Sequence, residues 1–400
     1  MEKTVCELFA GVGGFRLGLE KASKEWNTVW FSQWEPGKTK QWAHDCYVSH
    51  WGDIDNNTGI DIAEVDKHDI PDHNLLVGGF PCQDYSVARP LPGSVGLEGK
   101  KGVLWWQIRD TLETKKTPFG LFENVDRLLK SPASQRGRDF GIMLACLAAL
   151  GYSAEWRVIN AAEYGAAQRR RRVFIFTYKD ETQYGKRMAG TEAYNLIRYD
   201  GFFAKTFPID VIEGRMGVTS LDFDDIPEIS ASFKFSFENS GYMHKGKVFT
   251  VKTHPVEEEA TTLAEIIQSN VDDKYYLTGE KLEKWKYLKG AKKIERTSQT
   301  GHEYTFSEGA IAFPDPLDKP ARTMLTSEGT TNRSSHVVMD PETNQMRILT
   351  PIETERIQGF KDNWTNMMPE RMRYFCMGNA LVVPMVTRMG KTMGRIFDDE

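Results

Sequence analysis

Long apolar runs are missing from this 400-residue chain: no stretch reaches the roughly 20 apolar residues that a membrane-spanning helix needs. An excess of positive charge is missing too. With 51 Lys and Arg against 56 Asp and Glu the net charge is −5. That excludes a chain that holds nucleic acid by bulk electrostatics and leaves only local basic surfaces for such a task. Cysteine is scarce. Cys6, Cys46, Cys82, Cys146 and Cys376 are odd in number and never spaced C-x-x-C, so neither a disulfide framework nor a metal site is expected. The opening Met1-Glu2-Lys3-Thr4-Val5 lacks a basic-then-apolar leader, and a cytoplasmic protein with no membrane partner is expected. Internal repeats and low-complexity tracts are absent as well. What remains, 40% hydrophobic and 27% charged residues, is an ordinary globular composition, enough for one large domain or two to three smaller ones.

Short apolar runs bounded by Gly, Pro, Asp or Asn predict strands at 4–9, 28–34, 75–79, 120–123 and 173–178. Between them, helices are predicted at 14–23, 38–47, 104–112 and 137–150; in the last, Phe140, Met143, Leu144, Leu147 and Leu150 recur at helical spacing. This alternation is the sign of an α/β fold with a doubly wound sheet. It fades after about residue 184. From there to about 345, short β-like runs (247–252, 310–313, 336–339) alternate with polar turns, reading as a smaller, irregular, β-rich unit. Order returns with a capped helix ending at Gly359 and a closing helix at 382–397. The expected division is 1–184, 185–345 and 346–400.

Phe9-Ala10-Gly11-Val12-Gly13-Gly14 joins the first strand to the first helix, where glycines admit a sharp turn and close approach of a ligand. Glu35 follows the second strand, the place of a carboxylate that grips ribose hydroxyls. Asp53, with Ile54 beside it, is expected to end a further strand region and accept from an adenine amine. A dinucleotide fingerprint would continue G-x-G-x-x-G, but Arg16 stands at its third glycine. A phosphate-free adenosine ligand therefore fits better than a dinucleotide, its identity open at this point. Two basic places, Gln168-Arg169-Arg170-Arg171-Arg172 and the Lys-rich 281–296 with Trp285 and Tyr287, are either phosphate contacts or solvated faces.

Phe80-Pro81-Cys82-Gln83-Asp84-Tyr85-Ser86 sets one cysteine just past a strand's carboxyl end, where ligands gather in open α/β sheets. A buried structural cysteine would rarely carry so polar a run. With the glycine loop, this segment resembles the cytosine-5 DNA methyltransferase family, whose Pro-Cys-Gln hallmark stands as Pro81-Cys82-Gln83. The likeness continues in order through Glu123-Asn124-Val125, Gln168–Arg172 (Gln-x-Arg-x-Arg), Arg347-Ile348-Leu349-Thr350-Pro351 to Gln358-Gly359-Phe360, and Gly378-Asn379-Ala380.

The resemblance implies a Rossmann-like catalytic domain (1–184), a target-recognition domain (185–345) and a returning hinge and helix (346–400). It implies S-adenosylmethionine as cofactor, held by Phe9, Gly11, Gly13, Glu35, Asp53, Ile54, Leu104 and Asn379. Catalysis would rest on Cys82, Glu123, Arg170 and Arg172. Cytosine carbon 5 is a poor nucleophile, and a thiolate adding at carbon 6 makes it enamine-like. Glu123 would steady the resulting charge through ring nitrogen 3 and the amine. Arg172 would contact the base carbonyl, and Arg170 would support the nucleophile or a phosphate. The base must be flipped from the duplex, and Gly- and Pro-rich 83–102 is expected to close over DNA. Gln83, Ser86, Lys284, Lys289 and Lys292 are expected DNA contacts. A monomer acting on double-stranded DNA, within a restriction-modification system beside a cognate endonuclease, is the implied setting. The family's transfer-RNA branch is the alternative enzyme; the long 185–345 segment favours DNA. A catalytically dead DNA-binding regulator would lack one of these residues, and an amino-methyltransferase would carry Asn/Asp-Pro-Pro-Tyr, which is absent.

Overall fold

A computed structural model describes residues 1–55, 57–80, 104–222, 226–297 and 301–400. Strands and helices alternate as β1 (Thr4–Leu8), α1 (Gly14–Ala22), β2 (Asn27–Ser32), α2 (Trp42–Trp51), β3 (Leu75–Gly79), α3 (Leu104–Lys115), β4 (Phe119–Val125), α4 (Arg138–Ala149), β5 (Tyr152–Asn160) and β6 (Arg171–Lys179). Then come β7 (Ile209–Ser220), β8 (Ser240–His244) and β9 (Lys247–Pro255). One nine-stranded sheet takes the order β2-β1-β3-β4-β6-β5-β8-β9-β7. Strands β2, β1, β3 and β4 are parallel, and antiparallel pairing begins at β6. This is the expected doubly wound, mixed α/β sheet.

Alternation along each strand divides the apolar side chains between two cores. Leu76 of β3 and Phe122 of β4 face one side with Trp105 and Ile108 of α3 and Phe140 and Leu144 of α4. Leu75, Val77 and Leu121 face the other with Phe15 and Leu19 of α1 and Val386, Met389 and Phe397 of the closing helix Val383–Asp399. A Cβ on Gly18 would meet Val386 at 2.5 Å, so α1 and the closing helix approach through that glycine.

Strand β5 is absent from the predicted strands; the charged Glu155 and Arg157 interrupt its apolar residues. Both are buried. Tyr184 donates to Glu155 at 2.8 Å, and the Arg157 guanidinium donates to the carbonyls of Ile197, Phe203 and Phe207 at 2.6–3.0 Å. Helix α2 begins at Trp42 rather than at 38. The Gln41 side chain accepts from the Glu35 amide and donates to the Glu35 and Lys38 carbonyls, holding 35–41 as a loop. The run 310–313 forms no strand; Gly309, Pro314 and Pro316 flank it, and proline cannot donate to a ladder. Nor does the sheet stop at residue 184: β8 pairs with β5, and β9 and β7 follow, so 209–255 continue the sheet of the first half. Among the described residues no helix is long and apolar enough to cross a membrane.

The returning segment is anchored by Arg347, fully buried between Asp340 at 2.6 Å and Glu353 at 2.8 and 2.9 Å. Glu353 also closes a capping box with Thr350 at the start of the helix Pro351–Gln358. Arg347→Met leaves two buried carboxylates without their cation and is expected to cost about 3–5 kcal/mol. A denaturant titration in which the variant loses less than about 1 kcal/mol would show that these carboxylates find other partners.

Candidate active site

The carboxyl ends of β1 to β4 line one edge of the sheet. Leu8 is in register with Ser32 and Gly78, and Gly79 with Glu123. Glu35, the glycine loop, the end of β3 at Gly79 and Glu123 thus follow one another across three inter-strand spacings, roughly 14 Å.

In the loop after β1, Phe9, Gly11 and Gly13 have φ of 56°, 57° and 85°. The two glycines serve different purposes. A Cβ on Gly11 would meet nothing within 4 Å, whereas one on Gly13 would strike Trp51 at 2.2 Å. Gly11 therefore faces open space and Gly13 admits an aromatic floor. Gln33 accepts from the Gly11 amide at 2.7 Å. Trp364 donates from its indole to the Val12 carbonyl at 2.9 Å while its ring stacks on His50 at 3.5 Å. Arg16, the residue that breaks the dinucleotide pattern, lies over Trp51 at 4.7 Å and pairs with Glu20 at 3.0 Å. Its bulk is part of that floor.

One carboxylate oxygen of Glu35 is buried without a partner. Burial pushes the carboxyl pKa up, against the opposing pull of Lys38. A buried unpaired acceptor at the end of β2 is what the hydroxyls of a ribose would satisfy. Asp53 corrects an expectation: it ends no strand but sits in the loop after Gly52, which stops α2. Its Oδ1 accepts from Thr58 at 2.6 Å and from the Ile54 amide at 2.9 Å, and Ile54 is exposed beside it. Leu104 opens α3, half-buried, and Asn379 is the exposed last residue of the helix Glu370–Asn379. With Gly11 open and Glu35 unsatisfied, these residues fit an adenosine-type group.

The catalytic-side residues meet on β4 and β6. Arg172 Nε lies 2.7 Å from Glu123 Oε1. Gly79 leaves room for that carboxylate, since a Cβ there would be 3.2 Å from Glu123 Oε2. Buried Asn124 donates to the Phe80 carbonyl at 2.9 Å, two residues ahead of Cys82. Cys82, Gln83, Ser86 and the expected closing segment 83–102 lie outside the described residues. The other four cysteines are buried. Burial pushes Cys46 up to about 12 and Cys146 to about 11, and Cys6 and Cys376 higher still.

Arg170 is not at the surface. Its guanidinium donates to the Met324 and Gly378 carbonyls, both at 3.0 Å, and burial, helped by Arg172, lowers its pKa to about 9. It holds chain segments together rather than facing a phosphate. Around it, the Met324 amide donates to Gln168 and the Arg169 amide to the Ala321 carbonyl. Among the basic-stretch residues Lys284 is exposed and Lys292 lies 4.4 Å over the Tyr287 ring. Lys289 is a correction. It is buried, its ammonium donates to the Ser335 carbonyl, and burial lowers its pKa to about 8, so it is no phosphate contact. Sequence reasoning assigned no role to Gln33, Asn124 or Trp364. Gln33 lies two residues before Glu35, and Asn124 within the Glu-Asn-Val motif; nothing marked Trp364.

A glycine-rich turn and an unpaired acceptor, with an ion-paired carboxylate farther along the same edge of a doubly wound sheet, fit an enzyme that takes an adenosine-type group. The chain belongs to the C-5 cytosine-specific DNA methylase family, whose model matches residues 3–395. It is a DNA (cytosine-5)-methyltransferase. It is 52% identical over 397 residues to the type II methyltransferase M.Sau3AI of Staphylococcus aureus, covering 98% of this chain and 95% of that one. It is 25% identical to M.NlaX of Neisseria lactamica, covering 97% and 95%. The crystal structure of the S. pombe Dnmt2 methyltransferase shares the fold, with a TM-score of 0.60 at 14% identity over 99% of this chain and 98% of that one.

Beneath the glycine loop, Glu7 is wholly buried, accepting from Tyr47 at 3.1 Å. Burial pushes its carboxyl from 4.5 up to about 8, although the Tyr47 bond opposes the shift. Between those values the folded chain keeps a proton that the unfolded chain has released, so stability is lost as pH rises through the window. Glu7→Gln should flatten that decline. Denaturant midpoints measured at pH 5 and pH 8 test this; parallel pH curves for variant and wild type would rule Glu7 out as the source.

Proposed function

We propose that the chain methylates carbon 5 of a flipped cytosine in a specific short double-stranded DNA sequence through a covalent Cys82 adduct, with S-adenosylmethionine as cofactor. When bound, S-adenosylmethionine supplies the methyl group. Phe9, Gly11, Gly13, Glu35, Asp53, Ile54, Leu104 and Asn379 are the residues to hold it. The Cys82 thiolate adds to carbon 6, and the electron pair displaced from the ring double bond moves toward carbon 5. Glu123 hydrogen-bonds ring nitrogen 3 and the amine as that charge forms, and Arg172, paired with Glu123, contacts the base carbonyl. After carbon 5 is methylated, loss of its proton restores the double bond and expels the thiolate.

The observation that carries this reading is the Glu123–Arg172 pair beside Asn124, which pins the backbone leading into Cys82. The buried state of the other four cysteines supports Cys82 as the nucleophile. We assign sequence recognition to the segment 185–345, with Lys284 and Lys292 touching phosphates and Gln83 and Ser86 contacting DNA. A single copy acts on each site, in the cytoplasm, within a restriction-modification system whose endonuclease cuts the same sequence.

Glu35→Ala should weaken S-adenosylmethionine binding by about 1.5–3 kcal/mol, the loss of a charged hydrogen-bond acceptor. Unchanged affinity in calorimetry of the folded variant would remove Glu35 from the cofactor site. DNA with 5-fluorocytosine at the target should trap the chain covalently, because fluorine cannot leave carbon 5 as a cation and elimination stops. The adduct should require S-adenosylmethionine, survive denaturing electrophoresis and vanish in Cys82→Ala. A crosslink mapped to another cysteine, or trapping on RNA alone, would overturn the assignment.

A further inference from the structure

A two-stranded ribbon, β10 (Lys292–Thr297) with β11 (Glu303–Glu308), stands outside the nine-stranded sheet. Its antiparallel register pairs Lys293 with Ser307, Glu295 with Thr305 and Thr297 with Glu303. Alternation puts these six side chains on one face, and all six are exposed. On the reverse face Ile294 and Phe306 are half-buried, and Arg296 stacks over Phe306 at 3.9 Å.

An isolated pair of strands is marginally stable in water. Here one side chain fixes both roots: Arg333 donates to the Leu288 and Gly290 carbonyls, at 2.9 and 3.1 Å, ahead of β10, and to the Gly309 carbonyl just after β11. The ribbon is thus held in place while its polar face stays open. At the centre of that face Thr305 donates to Glu295 Oε1 at 2.8 Å, orienting the carboxylate and leaving its second oxygen as an acceptor.

Charge separates two uses of this face. This face carries one cation, Lys293, and two carboxylates, Glu295 and Glu303, a net negative set that would repel phosphates but not the amino groups of bases. Other cations lie off this face, with Arg296 on the reverse of the ribbon and Lys281, Lys284 and Lys286 exposed on the helix Gly279–Lys289. A major groove about 12 Å wide admits a two-stranded ribbon, and a carboxylate there accepts from an exocyclic base amine. We propose that this ribbon lies in the major groove and that Glu295, oriented by Thr305, reads an amine-bearing base of the recognised sequence, cytosine N4 or adenine N6. The inference rests on the assignment of recognition to 185–345 and names the side chains that perform it.

The test is selection of bound duplexes from a random-sequence DNA pool by the full-length chain, followed by sequencing. Binding is read without methyl transfer, so the outcome is independent of the Cys82 mechanism. Glu295→Ala should lose about tenfold or more of the preference at one base pair, with the other positions kept. Thr305→Val should relax the same position more weakly, and Lys284→Gln should weaken all sequences alike. A Glu295→Ala profile identical to wild type, or an even loss across all sequences, overturns the proposal. If exchanging 256–345 with a relative's segment moves the selected site while Glu295→Ala changes nothing, the ribbon falls and the segment assignment stands.

Discussion

The buried guanidinium of Arg170 joins three stretches that lie far apart in the chain. It precedes β6, and it donates to the carbonyls of Met324 and of Gly378, the latter next to the last residue of the helix Glu370–Asn379. A buried charge is tolerable only where such dipoles surround it, and removing either set would leave it costly. Two residues later Arg172 meets Glu123. Glu123, the C-terminal end of the helix Glu370–Asn379 and the stretch around Met324 are therefore positioned from one short piece of backbone.

The two carboxylates of the site differ because their surroundings differ. Glu123 has its cation at 2.7 Å, whereas Glu35 keeps one buried oxygen unpartnered. The first is organised already; the second is completed by whatever hydroxyls arrive. Between them the glycine loop has a firm base, with Trp51 closing against Gly13 and Trp364 bonded to Val12. Trp364 comes from the returning segment, so the far end of the chain shapes the loop that follows the first strand.

Much of this was legible in the residues. Parallel strands β1, β3 and β4 are apolar on both faces and announce themselves, and Thr350 with Glu353 and Gly359 marks a helix with both ends signed. Glu123 and Arg172 were marked by the likeness of their motifs to the family's, and the structure pairs them, since a charged side chain beside a buried strand is costly when left alone. What stayed hidden depends on partners distant in sequence. Glu155 and Arg157 look like surface charges until Tyr184 and three backbone carbonyls are brought to them. Lys289 reads like its neighbours Lys284 and Lys292, and only the Ser335 carbonyl distinguishes it. Arg170 carries the same signature as a phosphate-binding arginine, and its actual acceptors lie 154 and 208 residues away.

The continuation of the sheet through β8, β9 and β7 bears on how such enzymes exchange specificities. A recombination joint near residue 184 would carry away three strands and strip β5 of its neighbour, baring a row of unpaired amides and carbonyls of the kind that invites aggregation. A joint after Pro255 would leave the nine-stranded sheet intact. On the proposed assignment of recognition, the transferable module is shorter than 185–345, and chimaeras that respect the sheet are the ones that should remain soluble.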